Sequence, residues 1–127
     1  MTLDGLLDTN IFIDIARHYS SAIAWLNSQH LQFGVSSITR IELMLGARNK
    51  AEVEKIDRML RPFQLIFPDA RDSQWAMEQF ERFNLSHQLE IFDCYIAASA
   101  IRLGLPVVSR NVRDLSLLPS VLVQVPY

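Results

Sequence analysis

The spacing of apolar residues along the chain alternates between two regimes. Short apolar or β-branched runs bounded by polar and turn-forming residues predict strands at 6–7, 32–35, 64–67, 106–109 and 121–125. Longer stretches with apolar residues every three or four positions predict helices at 10–17, 21–28, 39–47, 51–60, 72–83 and 93–103. The expected order is β-α-α-β-α-α-β-α-α-β-β. Strands separated by helices long enough to cross over imply an α/β fold, with a mainly parallel five-stranded sheet covered by helices on both faces. In such sheets ligands bind beyond the carboxyl ends of the strands, so polar residues just after each strand are the first candidates for function.

Length fits this picture: 127 residues are enough for one domain and one core, spanning 1–127, and no repeat or Gly/Pro-rich linker divides them. Half the residues are hydrophobic and 20% are charged, a globular composition. The net charge of −2 excludes nucleic-acid binding through a global basic field, so any such role must be local. A single cysteine, Cys94, and three scattered histidines, His18, His30 and His87, offer neither an internal disulfide nor a zinc site. The residues before Asp8 carry no basic segment of an export signal, and no apolar stretch approaches the roughly 20 residues a membrane span needs. A soluble protein of the cytoplasm, with no membrane partner, is expected.

Four acids stand out by position. Asp8 directly follows the first strand, where it could face a ligand or cap the next helix. Glu42 has apolar neighbours on both sides in 38–46, a helix apolar enough to be well buried; its carboxylate then needs a cation or an arginine such as Arg40 or Arg48. Asp93 is the one carboxylate of the otherwise apolar segment 91–101, either capping that helix or facing a cleft. Asp114 lies in the polar loop after the fourth strand, where bonding to its own turn is the simpler role. Together at one sheet edge, four carboxylates would repel one another unless protonated or neutralised. All-oxygen donors favour a hard cation, Mg²⁺ or Mn²⁺, and such a cation suits hydrolysis of a phosphodiester backbone.

The same residues resemble the PIN-domain ribonucleases, and among them the toxin subunits of VapBC-type toxin-antitoxin pairs. Asp8-Thr9-Asn10 is similar to the family's first motif, and Glu42 with Gly46 to its Glu-x-x-x-Gly. Asp93-Cys94-Tyr95-Ile96-Ala97-Ala98 resembles its central Asp followed by Ile-Ala-Ala, and Asn111-Val112-Arg113-Asp114 its Asn-x-x-Asp. Ser109 stands where Thr is common, and Leu115 where Phe is frequent. The resemblance covers nearly the whole chain and implies a PIN-like three-layer fold. It also implies cleavage of RNA, often structured RNA such as tRNA, inhibition of growth, and silencing by a cognate antitoxin.

On this reading Asp8, Glu42, Asp93 and Asp114 are the catalytic and metal-binding residues. Thr9, Asn10, Ser37 and Asn111 would orient them, and Arg110 and Arg113 would bind phosphate. Cys94 reads as a small buried apolar residue. The aromatic set Phe63, Phe67, Trp75, Phe80 and Phe83 reads as core, or, where exposed, as a groove for an antitoxin helix or a second copy in a homodimer. A non-catalytic PIN-like RNA- or protein-binding module is the alternative. A phosphoacceptor receiver would need a late lysine, but Lys50 and Lys55 are the only lysines.

Overall fold

The computed structural model describes residues 2–127. Its elements run β1 (Gly5–Leu7), α1 (Thr9–Ala16), α2 (Ser20–Asn27), β2 (Phe33–Ser36), α3 (Ser37–Leu45), α4 (Lys50–Leu60) and β3 (Gln64–Ile66). Then follow α5 (Ala70–His87), α6 (Ile91–Leu103), β4 (Val107–Val108), α7 (Val112–Leu115) and β5 (Val123–Gln124). The five strands form one sheet in the order β3-β2-β1-β4-β5, and every neighbouring pair is parallel.

Alternation along the central strands builds two cores. Leu6 and its partner Val107 face one side, packing with Cys94, Ile96, Ala97 and Ala100 of α6 and Ala76 of α5. Leu7 and its partner Val108 face the other, packing with Phe12 of α1 and Leu60 of α4. Helices therefore cover both faces, as the α/β pattern requires. Gly34, paired with Leu6, leaves no room for a side chain: a Cβ there would lie 2.9 Å from both Leu3 Cδ1 and Leu6 Cδ2. None of the helices is long and apolar enough to cross a membrane, among the described residues.

Three expectations need correction. The one-turn helix α7 was not foreseen, because Asn111 to Leu115 is too short to show a helical period. Helix α5 starts earlier than 72 and ends later than 83: Asp69 and Asp72 form a reciprocal capping box, and the helix runs on through a polar turn to a left-handed Gln88. Helix α3 is not well buried. Only Thr39 is fully enclosed, while Leu45 is 72% exposed, because α3 sits at the sheet edge between the two cores and keeps one face to solvent. Of the aromatic set, Phe63, Trp75, Phe80 and Phe83 pack against the cores, and Phe67 is 66% exposed.

Candidate functional site

The chain leaves β1 toward β2 on one side and β4 toward β5 on the other, so the strand order reverses direction between β1 and β4. A crevice opens at the carboxyl ends of two such strands, and here Asp8 and Ser109 line up at the two ends. Helix α6 runs back to β4 against the strand direction, which brings its N-terminus, with Glu90 and Asp93, to the same edge. Loop and helix α7 then bring Asn111 and Asp114. The resulting pocket, of about 220 Å³, is lined by Asp8, Thr9, Asn10, Ile13, Glu42, Glu90, Asp93, Asn111 and Asp114.

Asp8 is 3% exposed and serves both roles open to it in the sequence. It is the N-cap of α1, with Oδ1 accepting from the Thr9 amide at 2.8 Å, and it also faces the pocket. Its Oδ2 accepts from the Ser109 hydroxyl at 2.7 Å. Glu42 reaches the pocket from α3, with Oε1 accepting from the Thr9 hydroxyl at 2.7 Å. Thr9 Oγ1 lies 2.9 Å from Thr39 Oγ1; since Thr9 gives its one proton to Glu42, Thr39 donates to Thr9. Glu42 pairs with neither arginine considered from sequence: Arg40 bridges to Asp57 at 3.0 Å and Arg48 to Glu52 at 2.8 Å. Asp93 lies in the first turn of α6, whose N-cap is Glu90, so Asp93 is not its cap. The Asn111 side-chain amide donates to Asp93 at 3.2 Å and to Asp114 at 3.3 Å, joining those two carboxylates.

Burial without a counter-charge dominates the electrostatics. Burial raises the Asp8 carboxyl above its ordinary range against the hydrogen bonds from Ser109 and Thr9, and the Glu90 charge adds to the rise. Glu42 is raised by burial as well, opposed by Thr9 and reinforced by the charges of Asp8 and Glu90. Asp93 is pushed up to about 8, first by burial and then by Asp8, Glu42, Glu90 and Asp114. No basic side chain lines this pocket. Five carboxylates repelling one another in a half-dry cleft are the donor set that a hard divalent cation relieves. Among the described residues no three His, Cys, Asp or Glu side chains already close on one ion. A cation here would therefore draw the carboxylates inward or retain part of its water shell, as Mg²⁺ commonly does.

The other sequence candidates divide. Thr9, Asn10 and Asn111 line the pocket and touch its carboxylates. Ser37 opens α3, half-buried and outside the lining; the hydroxyl from that helix that joins the network is Thr39. Arg113 is exposed on α7 beside Asp114, whereas the Arg110 guanidinium donates to Asp14 at 3.1 Å. Cys94 is buried, and its thiol is pushed up to about 12 by burial and the Asp93 charge, so it stays protonated. Both lysines lie on or at the start of α4, away from the pocket. A larger hollow of about 690 Å³ opens where β2 and β3 begin, but no ionisable side chain lines it. Glu90 and Ile13 are the lining residues that sequence reasoning missed, and Thr39, which bonds to Thr9 behind the pocket, was missed as well. Thr39, one turn before Glu42 on an apolar helix, carried a readable signal; Glu90 was hidden by placing the helix start at 93.

The chain matches the PIN-domain family over residues 5–117. Among solved structures it is similar to a toxin-antitoxin complex from Klebsiella pneumoniae, at 27% identity and a TM-score of 0.78, covering 98% of each chain. It is similar to FitAcB from Neisseria gonorrhoeae at 28% identity and a TM-score of 0.73, over 95% of this chain and 96% of that one. VapBC2 from Rickettsia felis, bound to a DNA fragment from its promoter, shares the fold at 23% identity and a TM-score of 0.77, over 96% and 98%. Comparison with curated proteins gave no match.

Proposed function

The chain belongs to the PIN-domain family, and from that premise we propose that it is a metal-dependent endoribonuclease acting in the cytoplasm as the toxin of a toxin-antitoxin pair. The observation that carries this reading is the ring of five carboxylates, with no basic side chain, at the point where the strand order reverses. Asp8 and Asp93 would be the principal holders of Mg²⁺ or Mn²⁺, with Glu42 and Asp114 beside them. When bound, the cation supplies charge neutralisation for the phosphodiester and acidifies the attacking water. Asp93, whose carboxyl is pushed up to about 8 in the bare pocket, would have to be ionised to hold the cation. Ser109, Thr9, Asn10 and Asn111 orient the carboxylates, and the exposed Arg113 contacts a flanking phosphate of the RNA.

The name of the Klebsiella pneumoniae relative, a toxin-antitoxin complex, supports a cognate antitoxin as partner; structured RNA such as tRNA as substrate belongs to the same reading and rests on the family resemblance of the four acidic motifs. A homodimer is part of the same reading. Purified protein is expected to cleave RNA with Mg²⁺ or Mn²⁺ and to stop in EDTA, while Asp8→Asn prepared in parallel stays inactive. Cleavage undiminished in EDTA, or equal in the variant, overturns the proposal. Binding of RNA without cleavage in either metal supports the non-catalytic module instead. Light scattering at a monomer's mass across working concentrations contradicts the homodimer.

A further inference from the structure

Arg110 stands between the two residues that hold three of the pocket carboxylates. On one side Ser109 donates to Asp8; on the other Asn111 donates to Asp93 and Asp114. The segment is tied to α1 through the Arg110 amide, which donates to Asn10 Oδ1 at 3.4 Å, and through Ser109 Oγ, which accepts from Asn10 Nδ2 at 3.0 Å; the Asn111 amide closes the turn within the segment by donating to Ser109 Oγ at 2.9 Å. The Arg110 side chain itself reaches away from the carboxylates into a clasp. Its guanidinium donates to Asp14 Oδ2 and lies 5.2 Å from the ring centres of both Tyr19 and Tyr127. The Tyr127 hydroxyl donates to the same Asp14 oxygen at 2.8 Å, and its ring also packs against Trp25 at 6.1 Å.

The clasp thus joins three separate parts of the chain: α1 through Asp14, the start of α2 through Tyr19, and the segment after β5 through Tyr127. Strand β5 is itself bonded to the residue before Arg110, since the Ser109 amide donates to Gln124 O at 3.0 Å. A planar guanidinium can meet a carboxylate at its edge and two rings at its faces at once, which a lysine ammonium cannot. We propose that Arg110 and Tyr127 are positioning residues for the carboxylate pocket: the clasp pins segment 109–111 so that Ser109 and Asn111 keep their hydrogen bonds to Asp8, Asp93 and Asp114. The Arg110 guanidinium is thus already held by Asp14 and the two rings, whereas the Arg113 side chain is exposed on α7. The effect on metal affinity rests on the cation reading above; the effect on the loop does not.

The test uses the full chain with Tyr127→Ala, Arg110→Ala, Tyr127→Phe and, as a control far from the pocket, Arg48→Ala. In metal-free protein, amide hydrogen exchange at Asn111 should speed up about tenfold in Tyr127→Ala and Arg110→Ala, with the β1 amides unchanged. Tyr127→Phe, which keeps the ring over the guanidinium, should stay near wild type, as should Arg48→Ala. Mn²⁺ affinity, read from free Mn²⁺ by electron paramagnetic resonance, should weaken about three- to tenfold in the two alanine variants, below the loss from removing a direct partner of a metal ligand. Wild-type protection at Asn111 in both folded alanine variants overturns the proposal. Faster exchange there with Mn²⁺ affinity unchanged also overturns it, since the clasp would then not set the carboxylates. If wild type binds no Mn²⁺ at all, the cation reading fails and the exchange result alone decides the clasp; should Tyr127→Ala not fold, Arg110→Ala gives the same decision.

Discussion

The Ser109 hydroxyl donates to Asp8 Oδ2 at 2.7 Å across 101 residues of sequence, joining the ends of two adjacent strands. The same oxygen accepts from Asn10 Nδ2 at 3.0 Å and from the Asn111 amide at 2.9 Å. With both lone pairs occupied, its proton has one direction left, toward Asp8. Ser109→Ala should therefore cost about 1–3 kcal/mol in urea unfolding, since it strips a buried carboxyl of a donor and two donors of their acceptor. Ser109→Thr, which retains the hydroxyl, should lose much less; equal losses in both would show that packing rather than the hydroxyl matters.

Asp93 gives the bare protein a defined pH dependence. Its carboxyl is raised from 3.8 to about 8 in the folded state, so between those values the native state holds a proton that the unfolded chain has released. The unfolded state binds fewer protons, and stability must fall as pH rises through that window, by up to about 1.4 kcal/mol per pH unit. The raised Asp8 and Glu42 act in the same direction. Urea unfolding of metal-free protein at pH 5 and pH 8 should show the loss, and Asp93→Asn should remove most of it. A pH-independent wild type would contradict the burial and repulsion described for this carboxylate.

Away from the pocket, α5 and α6 are fastened by an ion pair between the buried Asp72 and the partly exposed Arg102. Asp72 Oδ2 accepts from Arg102 at 3.0 Å and from the Ser99 hydroxyl at 2.8 Å. Arg102→Ala would leave the buried Asp72 with only its Ser99 and Asp69 amide donors and should cost about 1–3 kcal/mol, the scale for removing a charged hydrogen-bond partner of a buried group. The metal affinity of the folded variant should match wild type, and a change there would tie this pair to the pocket after all.

Gly34→Ala should destabilise by about 1–3 kcal/mol, because its Cβ would press on Leu3, Leu6 and, at 3.2 Å, Ile66 Cγ1. Circular dichroism melting reads this directly. An unchanged melting temperature would mean that the Leu3 and Leu6 side chains move aside freely.

The strands and their order along the chain were readable because each is a short apolar run between longer amphipathic ones; their order in the sheet, and the opposite faces taken by Leu6 and Leu7, came only with the structure. Acids after strands were readable for the same topological reason: Asp8 follows β1 directly, and Asp114 comes after β4 at the end of a short polar segment. What was hidden depended on tertiary contact or on helix ends. Glu90 joins the pocket only because α6 begins at Ile91, and the exposure of α3 depends on where it sits relative to two cores. Arg110 reads from its place four residues before Asp114 as a phosphate-binding residue, and no local pattern shows that Asp14, Tyr19 and Tyr127 converge on it from three distant segments.

The central claim, that the carboxylate pocket holds a divalent cation, is tested most directly by Mg²⁺-dependent stability in wild type and Asp93→Asn. Metal present at ten times its dissociation constant stabilises the native state by about 1.4 kcal/mol through mass action. The account predicts a rise in melting temperature with Mg²⁺ for wild type and little or none for Asp93→Asn, although the variant starts from an equal or higher melting temperature without metal. The same Mg²⁺-dependent shift in both proteins would show that Asp93 is not a ligand and would contradict the assignment of the pocket.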